Sequence, residues 1–352
     1  MSVTMEYERR RRHQVMAIWL LVVAAMVFAM VVLGGVTRLT HSGLSMVDWR
    51  PVTGWLPPLS EAEWERTFEA YRQFPEYQKE NLGMTLREFQ GIFWLEYLHR
   101  LWGRLIGVVF AVPLVVFAVR GWIDRRLAPK LVLMFILGGL QGVLGWYMVK
   151  SGLVDRPDVS QYRLTAHLGA ALLIYGYIVW TAMALLAPRP LGAPHRRPWR
   201  FAAVLVLLIF VTAMSGGFVA GLDAGFAYNT FPLMDGEVIP EHLFALRPLY
   251  LNPFEDVTTV QFDHRVLALL TLAAVIVFWF IARRAPLPAR VLRSIDVLVL
   301  VAVAQVALGI ATLVMIVPVP LAAAHQGGAV VLLTAALWAA FELRPRREAA
   351  LE

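Results

Sequence analysis

Eight apolar runs alternate with polar connections along the chain, at 15–36, 94–119, 129–149, 163–187, 200–221, 262–282, 291–315 and 321–342. Each has about the 20 residues a helix needs to cross the hydrocarbon of a bilayer. The last two are separated by Val317-Pro318-Val319-Pro320, where proline breaks the helix. No small-residue cleavage site ends the first run, so it is expected to remain as a membrane helix rather than leave as a signal peptide. The pattern predicts an all-α polytopic membrane protein.

The connections alternate in character. Arg9–Arg12 precede the first run. Arg120, Arg125, Arg126 and Lys130 follow the second; Arg189, Arg196, Arg197 and Arg200 the fourth. Arg283, Arg284, Arg290 and Arg293 follow the sixth, and Arg344, Arg346 and Arg347 the eighth. All these fall on one side of the membrane, which the positive-inside rule makes cytoplasmic, together with both termini. The opposite side carries the long connections 37–90, rich in aromatics such as Trp49, Trp55 and Trp64, and 222–260. Connections of that length are expected to hold short capping helices.

Composition agrees with this reading. Of 352 residues 59% are hydrophobic and 16% charged, and mean hydropathy is +0.63. A soluble domain could not hide so much apolar surface. The net charge of +7 would suggest nucleic acid in a soluble protein, but here it lies in loops beside anionic lipid. Lipid is the expected surface partner, and nucleic acid is excluded. Cysteine is absent, so disulfides, thiolate metal sites and cysteine nucleophiles are excluded.

Four histidines stand out against this background. His99, His167, His264 and His325 lie near the starts of runs two, four, six and eight. With the termini inside, all four fall close to the outer face. A membrane helix carries an ionisable group when that group has a use.

The chain also repeats itself. EYLHR matches QFDHR, LQGVLGW matches AQVALGI, TAHLGA matches AAHQGGA, and Gly34-Gly35 matches Gly216-Gly217. The matches keep their order, offset by 182 residues at Gly34, 165 at His99, 164 at Gln141 and 158 at His167. The expected architecture is two pseudo-symmetric four-helix bundles, residues 1–190 and 191–352, related by an axis along the membrane normal.

Each half then supplies one histidine from its second helix and one from its fourth. Two neutral imidazoles facing across a four-helix bundle suit the axial positions of a heme iron. Arg100 and Arg265 adjoin two of the histidines and could pair with heme propionates. Zinc is poorly supported, since no third or fourth ligand recurs. His13, His195 and His242 sit in basic or loop contexts and read as solvated. His41, in TRLTHSGLS, has no matching histidine. Glu96 lies three residues before His99, on the same helix face, and the matched residue is Gln261. A carboxylate at an apolar boundary reads either as a reactive group or as an ion-pair partner of Arg100 or Arg104.

GGVTRLTHSGLSMVDW, EYLHRLWGRLIG, LGGLQGVLGWYMVKSGL, SQYRLTAHLGAALLIY, NTFPLM, QFDHR and LGIATLVMIVPVPLAAAHQGGA are similar to segments of the heme A synthase family, in order and over nearly the whole chain. The resemblance implies oxidation of the C8 methyl group of heme O to the formyl group of heme A, for cytochrome oxidase assembly. It implies a substrate heme held by His99 and His167, with Glu96 as the catalytic carboxylate. It implies a heme b cofactor, with its iron, held by His264 and His325. The missing cysteine pair of the first external loop marks the cysteine-free type. Expected partners are heme O, a heme O synthase and an electron donor, with a homo-oligomer left open. The expected location is the bacterial cell inner membrane. The competing readings are a bis-histidine, cytochrome b-like carrier that oxidises a quinol, and a heme carrier or exporter.

Overall fold

The structure, a computed structural model, describes residues 3–48, 54–153, 158–187 and 196–345. Trp49, Arg189, His195, Arg346 and Arg347, used above, lie outside the described residues. Among the described residues the fold is helical, with one isolated β-bridge between Met234 and Glu237. In chain order the helices are α1 (Val3–Leu39), α2 (Glu61–Arg72), α3 (Pro75–Lys79), α4 (Leu86–Val119), α5 (Ala128–Gly152), α6 (Gln161–Leu186), α7 (Arg196–Gly221), α8 (Asn252–Glu255), α9 (Val257–Arg283), α10 (Ala289–Val314) and α11 (Val319–Glu342). Eight of them, all but α2, α3 and α8, are long and apolar enough to cross a membrane.

Those eight match the eight apolar runs, but several begin earlier. Arg9–Arg12 lie inside α1 rather than before it. α4 starts at Leu86 behind a reciprocal cap: the Glu88 N–H donates to Thr85 Oγ1, and the Thr85 N–H donates to Glu88 Oε2 at 2.8 Å. The reason is physical. Helix hydrogen bonds form in water as well as in lipid, whereas hydropathy marks only the stretch in hydrocarbon. The long connections do hold short helices: α2 and α3 in the first, α8 and two 3-10 turns in the second.

The chain forms two compact units, one of Met1–Phe28 with Leu172–Glu352, the other of Ala29–Ala171. Within the first, α7 packs on α9, α9 on α10, α10 on α11 and α11 on α7, closing a four-helix ring. The α10–α11 turn places Ile316 at φ 62° and Val317 at φ 53°, a left-handed backbone that β-branched residues rarely adopt. It is held from the side. Asn229 Nδ2 donates to Leu313 O (2.9 Å) and to Gly225 O (2.8 Å).

Within the second unit, α4 packs on α5 and α2. Phe68 and Tyr71 of α2 meet Phe89, Phe93 and Tyr97 of α4 in a buried aromatic cluster, with the Phe68 and Phe89 rings stacked at 4.9 Å. The same short helices bury a carboxyl group. Glu76 of α3 is only 4% exposed and lies within hydrogen-bonding reach of Tyr71, whose hydroxyl accepts from Asn81 Nδ2 at 2.8 Å.

Burial pushes the Glu76 carboxyl up from 4.5 to about 7. The folded unit therefore keeps a proton that the unfolded chain gives up. This contribution is neutral at low pH and becomes a penalty as pH rises from about 4.5 to about 7, reaching at most about 3 kcal/mol. Glu76→Gln is expected to flatten that loss, read as thermal unfolding in detergent between about pH 5 and about pH 8.

Candidate functional site

His99 lies on α4, His167 on α6, His264 on α9 and His325 on α11. Each imidazole packs against a glycine of the preceding membrane helix. A Cβ at Gly34 would stand 3.0 Å from His99 Cε1, and one at Gly145 3.0 Å from His167 Cε1. In the other unit a Cβ at Gly216 would stand 3.1 Å from His264 Cε1, and one at Gly309 2.7 Å from His325 Cε1. The contact thus recurs four times at matched positions. Any side chain there would push the ring from its place, because a close-packed interior does not yield at these distances.

His264 and His325 form a pair, with ring centroids 6.4 Å apart and planes at 88°. Ser215 Oγ lies 2.8 Å from His264 Nδ1 and donates its own proton to Thr212 O at 2.8 Å. The serine is therefore the acceptor and His264 Nδ1 carries the proton, which leaves the Nε2 lone pair for a ligand. Gln305 Nε2 donates to His325 O (2.9 Å) and stands 3.2 Å from His325 Nδ1. The spacing leaves room for one metal ion bonded at about 2 Å to each ring. Two imidazoles in apolar surroundings are a donor set that suits heme iron. In the other unit Gln141 Nε2 donates to His167 O at 2.7 Å, while Nδ1 of His99 and Nδ1 of His167 are buried without a hydrogen-bond partner. Among the described residues no three or more His, Cys, Asp or Glu side chains cluster as a metal site.

Arg100 and Arg265 do similar work in their own units. Arg100 Nη2 donates to Met46 O (2.7 Å) and Nη1 to Asp48 O (3.1 Å). Arg265 Nη2 donates to Tyr228 O (2.7 Å) and Nη1 to Thr230 O (2.8 Å). Each arginine thus latches a long connection to the helix that bears a histidine. The residue one turn earlier differs. Glu96, only 3% exposed, pairs with Arg100 through Oε1, and its Oε2 accepts from Ser45 Oγ (2.7 Å) and the Met46 N–H (2.7 Å). Gln261 instead donates Nε2 to Ala224 O (2.8 Å) and Tyr228 O (3.1 Å). A carboxylate held by three donors has a fixed position and a lone pair that can accept a proton, which an amide does not offer.

A cavity of about 290 Å³ lies beside Arg100, walled by Met46, Phe74, Trp146 and Lys150 among others. His41 is exposed, in the turn after α1 with φ 49°, and His242 is exposed in the second long connection. Neither joins a histidine pair.

Sequence reasoning missed three things here. It used the glycines only as markers of repetition, it passed over Ser215, and it gave Ser45 no role. For the glycines the signal was available, since each stands at a matched position of the repeat; Ser215 is matched by Leu33, so repetition did not mark it. For Ser45 it was not, because a loop serine meets Glu96 only through the fold.

Residues 17–337 match the family described as "Cytochrome oxidase assembly protein" (COX15-CtaA). The chain is 54% identical over 331 residues to the "Heme A synthase" of Nitrosospira multiformis, covering 93% of each. It is 49% identical over 350 residues to the "Heme A synthase COX15" of Bos taurus, covering 97% of this chain and 85% of the relative. To the Homo sapiens protein of the same description it is 48% identical over 355 residues, again covering 97% and 85%.

The glycine contacts make a direct prediction. Gly309→Ala is expected to cost about 1–3 kcal/mol through overpacking on His325. Gly138→Ala, where nothing lies within 4 Å, is expected to be neutral or stabilising. Thermal unfolding of the two variants beside the parent checks both.

Proposed function

The chain belongs to the COX15-CtaA family of cytochrome oxidase assembly proteins, and on that premise we propose that it is a membrane oxidoreductase that makes heme A from heme O. The C8 methyl group is oxidised by two successive hydroxylations with dioxygen as the oxidant: each inserts one oxygen atom, and the other leaves as water with two electrons from an external donor and two protons. The resulting gem-diol loses water to leave the formyl group. The N-terminal half, residues 1–190, holds the substrate heme between His99 and His167. The C-terminal half, residues 191–352, holds a heme b between His264 and His325. When bound, that heme supplies one-electron redox chemistry.

The observation that carries this assignment of roles is the difference between Glu96 and Gln261, within two otherwise similar arginine latches. One half has a charged, positioned carboxylate beside its histidine, and the other has an amide bound to backbone. Glu96 accepts a proton released from the substrate or steadies positive charge developing on the carbon being oxidised. Its hydrogen bonds from Ser45 and Met46 hold it at a fixed distance from the His99 turn. Arg100 and Arg265 keep their loops closed over the two sites and offer cationic charge to heme propionates. Both termini lie in the cytoplasm and the histidines toward the outer side of the inner membrane. A heme O synthase supplies the substrate, and an external donor completes the electron route.

Glu96→Gln is expected to leave the resident heme spectrum intact while product falls by roughly 100-fold or more. The check is co-expression with a heme O synthase, followed by extraction and chromatography of the hemes. Normal amounts of heme A from a folded Glu96→Gln protein would remove Glu96 from the mechanism.

A further inference from the structure

We propose that Ser215 anchors His264 as a permanent ligand, while Leu33, which stands at the matched position, leaves His99 free to let go. This rests on the substrate and cofactor roles assigned above. A ligand imidazole is oriented by the hydrogen bond at its other nitrogen, and losing such a partner weakens metal affinity roughly 10–100-fold.

In the C-terminal half Ser215 Oγ accepts from His264 Nδ1–H at 2.8 Å. In the N-terminal half the Nδ1 atoms of His99 and His167 are buried without a partner.

One substitution accounts for the difference. The register that aligns Gly34 with Gly216 puts Leu33 opposite Ser215, and leucine has no hydroxyl to offer. At the other two histidines the arrangement is shared: Gln305 donates to the His325 carbonyl and Gln141 to the His167 carbonyl.

The chemistry explains why the halves would diverge. A cofactor site must keep its heme through every cycle. A substrate site must release one heme per turnover, and rings anchored only by packing reorient more easily than rings also held at Nδ1. Ser215 is thus a positioning residue acting through His264.

The test uses the full-length protein purified with its hemes. Ser215→Ala is expected to transfer its resident heme to an excess of apomyoglobin roughly 10–100-fold faster than the parent. Its midpoint potential is expected to move positive, because an imidazole without an acceptor at Nδ1–H donates less charge to the iron. Ser215→Thr should restore both. Leu33→Ser is expected to do the reverse, slowing loss of the N-terminal heme to the same scavenger. An unchanged potential and transfer rate in Ser215→Ala would overturn the proposal. So would parental release of the N-terminal heme from a Leu33→Ser protein whose resident heme spectrum is intact. Should Ser215→Ala fail to fold, the Leu33→Ser measurement decides alone. None of these readouts needs turnover. A parent protein that makes no heme A refutes the enzymatic reading, whereas unchanged retention and potential refute only the anchoring.

Discussion

An imidazole inside an apolar helix bundle is costly unless its nitrogens have partners. This protein carries four of them, and each is set by one contact, the Cε1 edge of the ring against a glycine of the neighbouring helix. The contact fixes how closely the helices approach and where the ring can point. The arginines that follow His99 and His264 bring the long connections down onto the same helices. Helix spacing, loop position and ring orientation are therefore coupled, and a side chain added at any of the four glycines disturbs all three.

The two arginine latches are alike, and the residues around them differ. Glu96 faces a loop serine and a backbone N–H where Gln261 faces two carbonyls. Lys150, stacked 5.3 Å from the Trp146 ring and lining the cavity beside Arg100, stands opposite Val314. The unit that carries His99 has a buried ion pair and a cavity beside Arg100, and the other unit has a hydrogen bond at His264 Nδ1.

Much of this was legible in the sequence. The bilayer imposes a length and an apolarity on every spanning helix, so eight runs announced eight helices. Ionisable residues in such runs are rare, so the four histidines stood out, and the Glu96–Arg100 pairing was one of two readings open for that carboxylate. What stayed hidden followed from distance. Helix ends continue into water, where hydropathy no longer marks them, so α1 and α4 began earlier than expected. α2 and α3 were expected only as a class, since a short helix in a mixed-charge segment shows its apolar face only once Phe68 and Tyr71 meet α4. The clamp of Asn229 on the α10–α11 turn joins residues 84 apart, which no local pattern reveals.

The four glycine–histidine contacts also differ in how much chain each one closes. Gly309 and His325 are 16 residues apart, Gly145 and His167 22, Gly216 and His264 48, and Gly34 and His99 65. Bringing two points of a chain together costs entropy that grows with the logarithm of the intervening length, so the longest of these loops costs about 1 kcal/mol more than the shortest. The hairpin of α10 and α11 can therefore present a seated His325 while the chain between Gly34 and His99 is still searching. Seating His99 depends on the most distant of these four pairings.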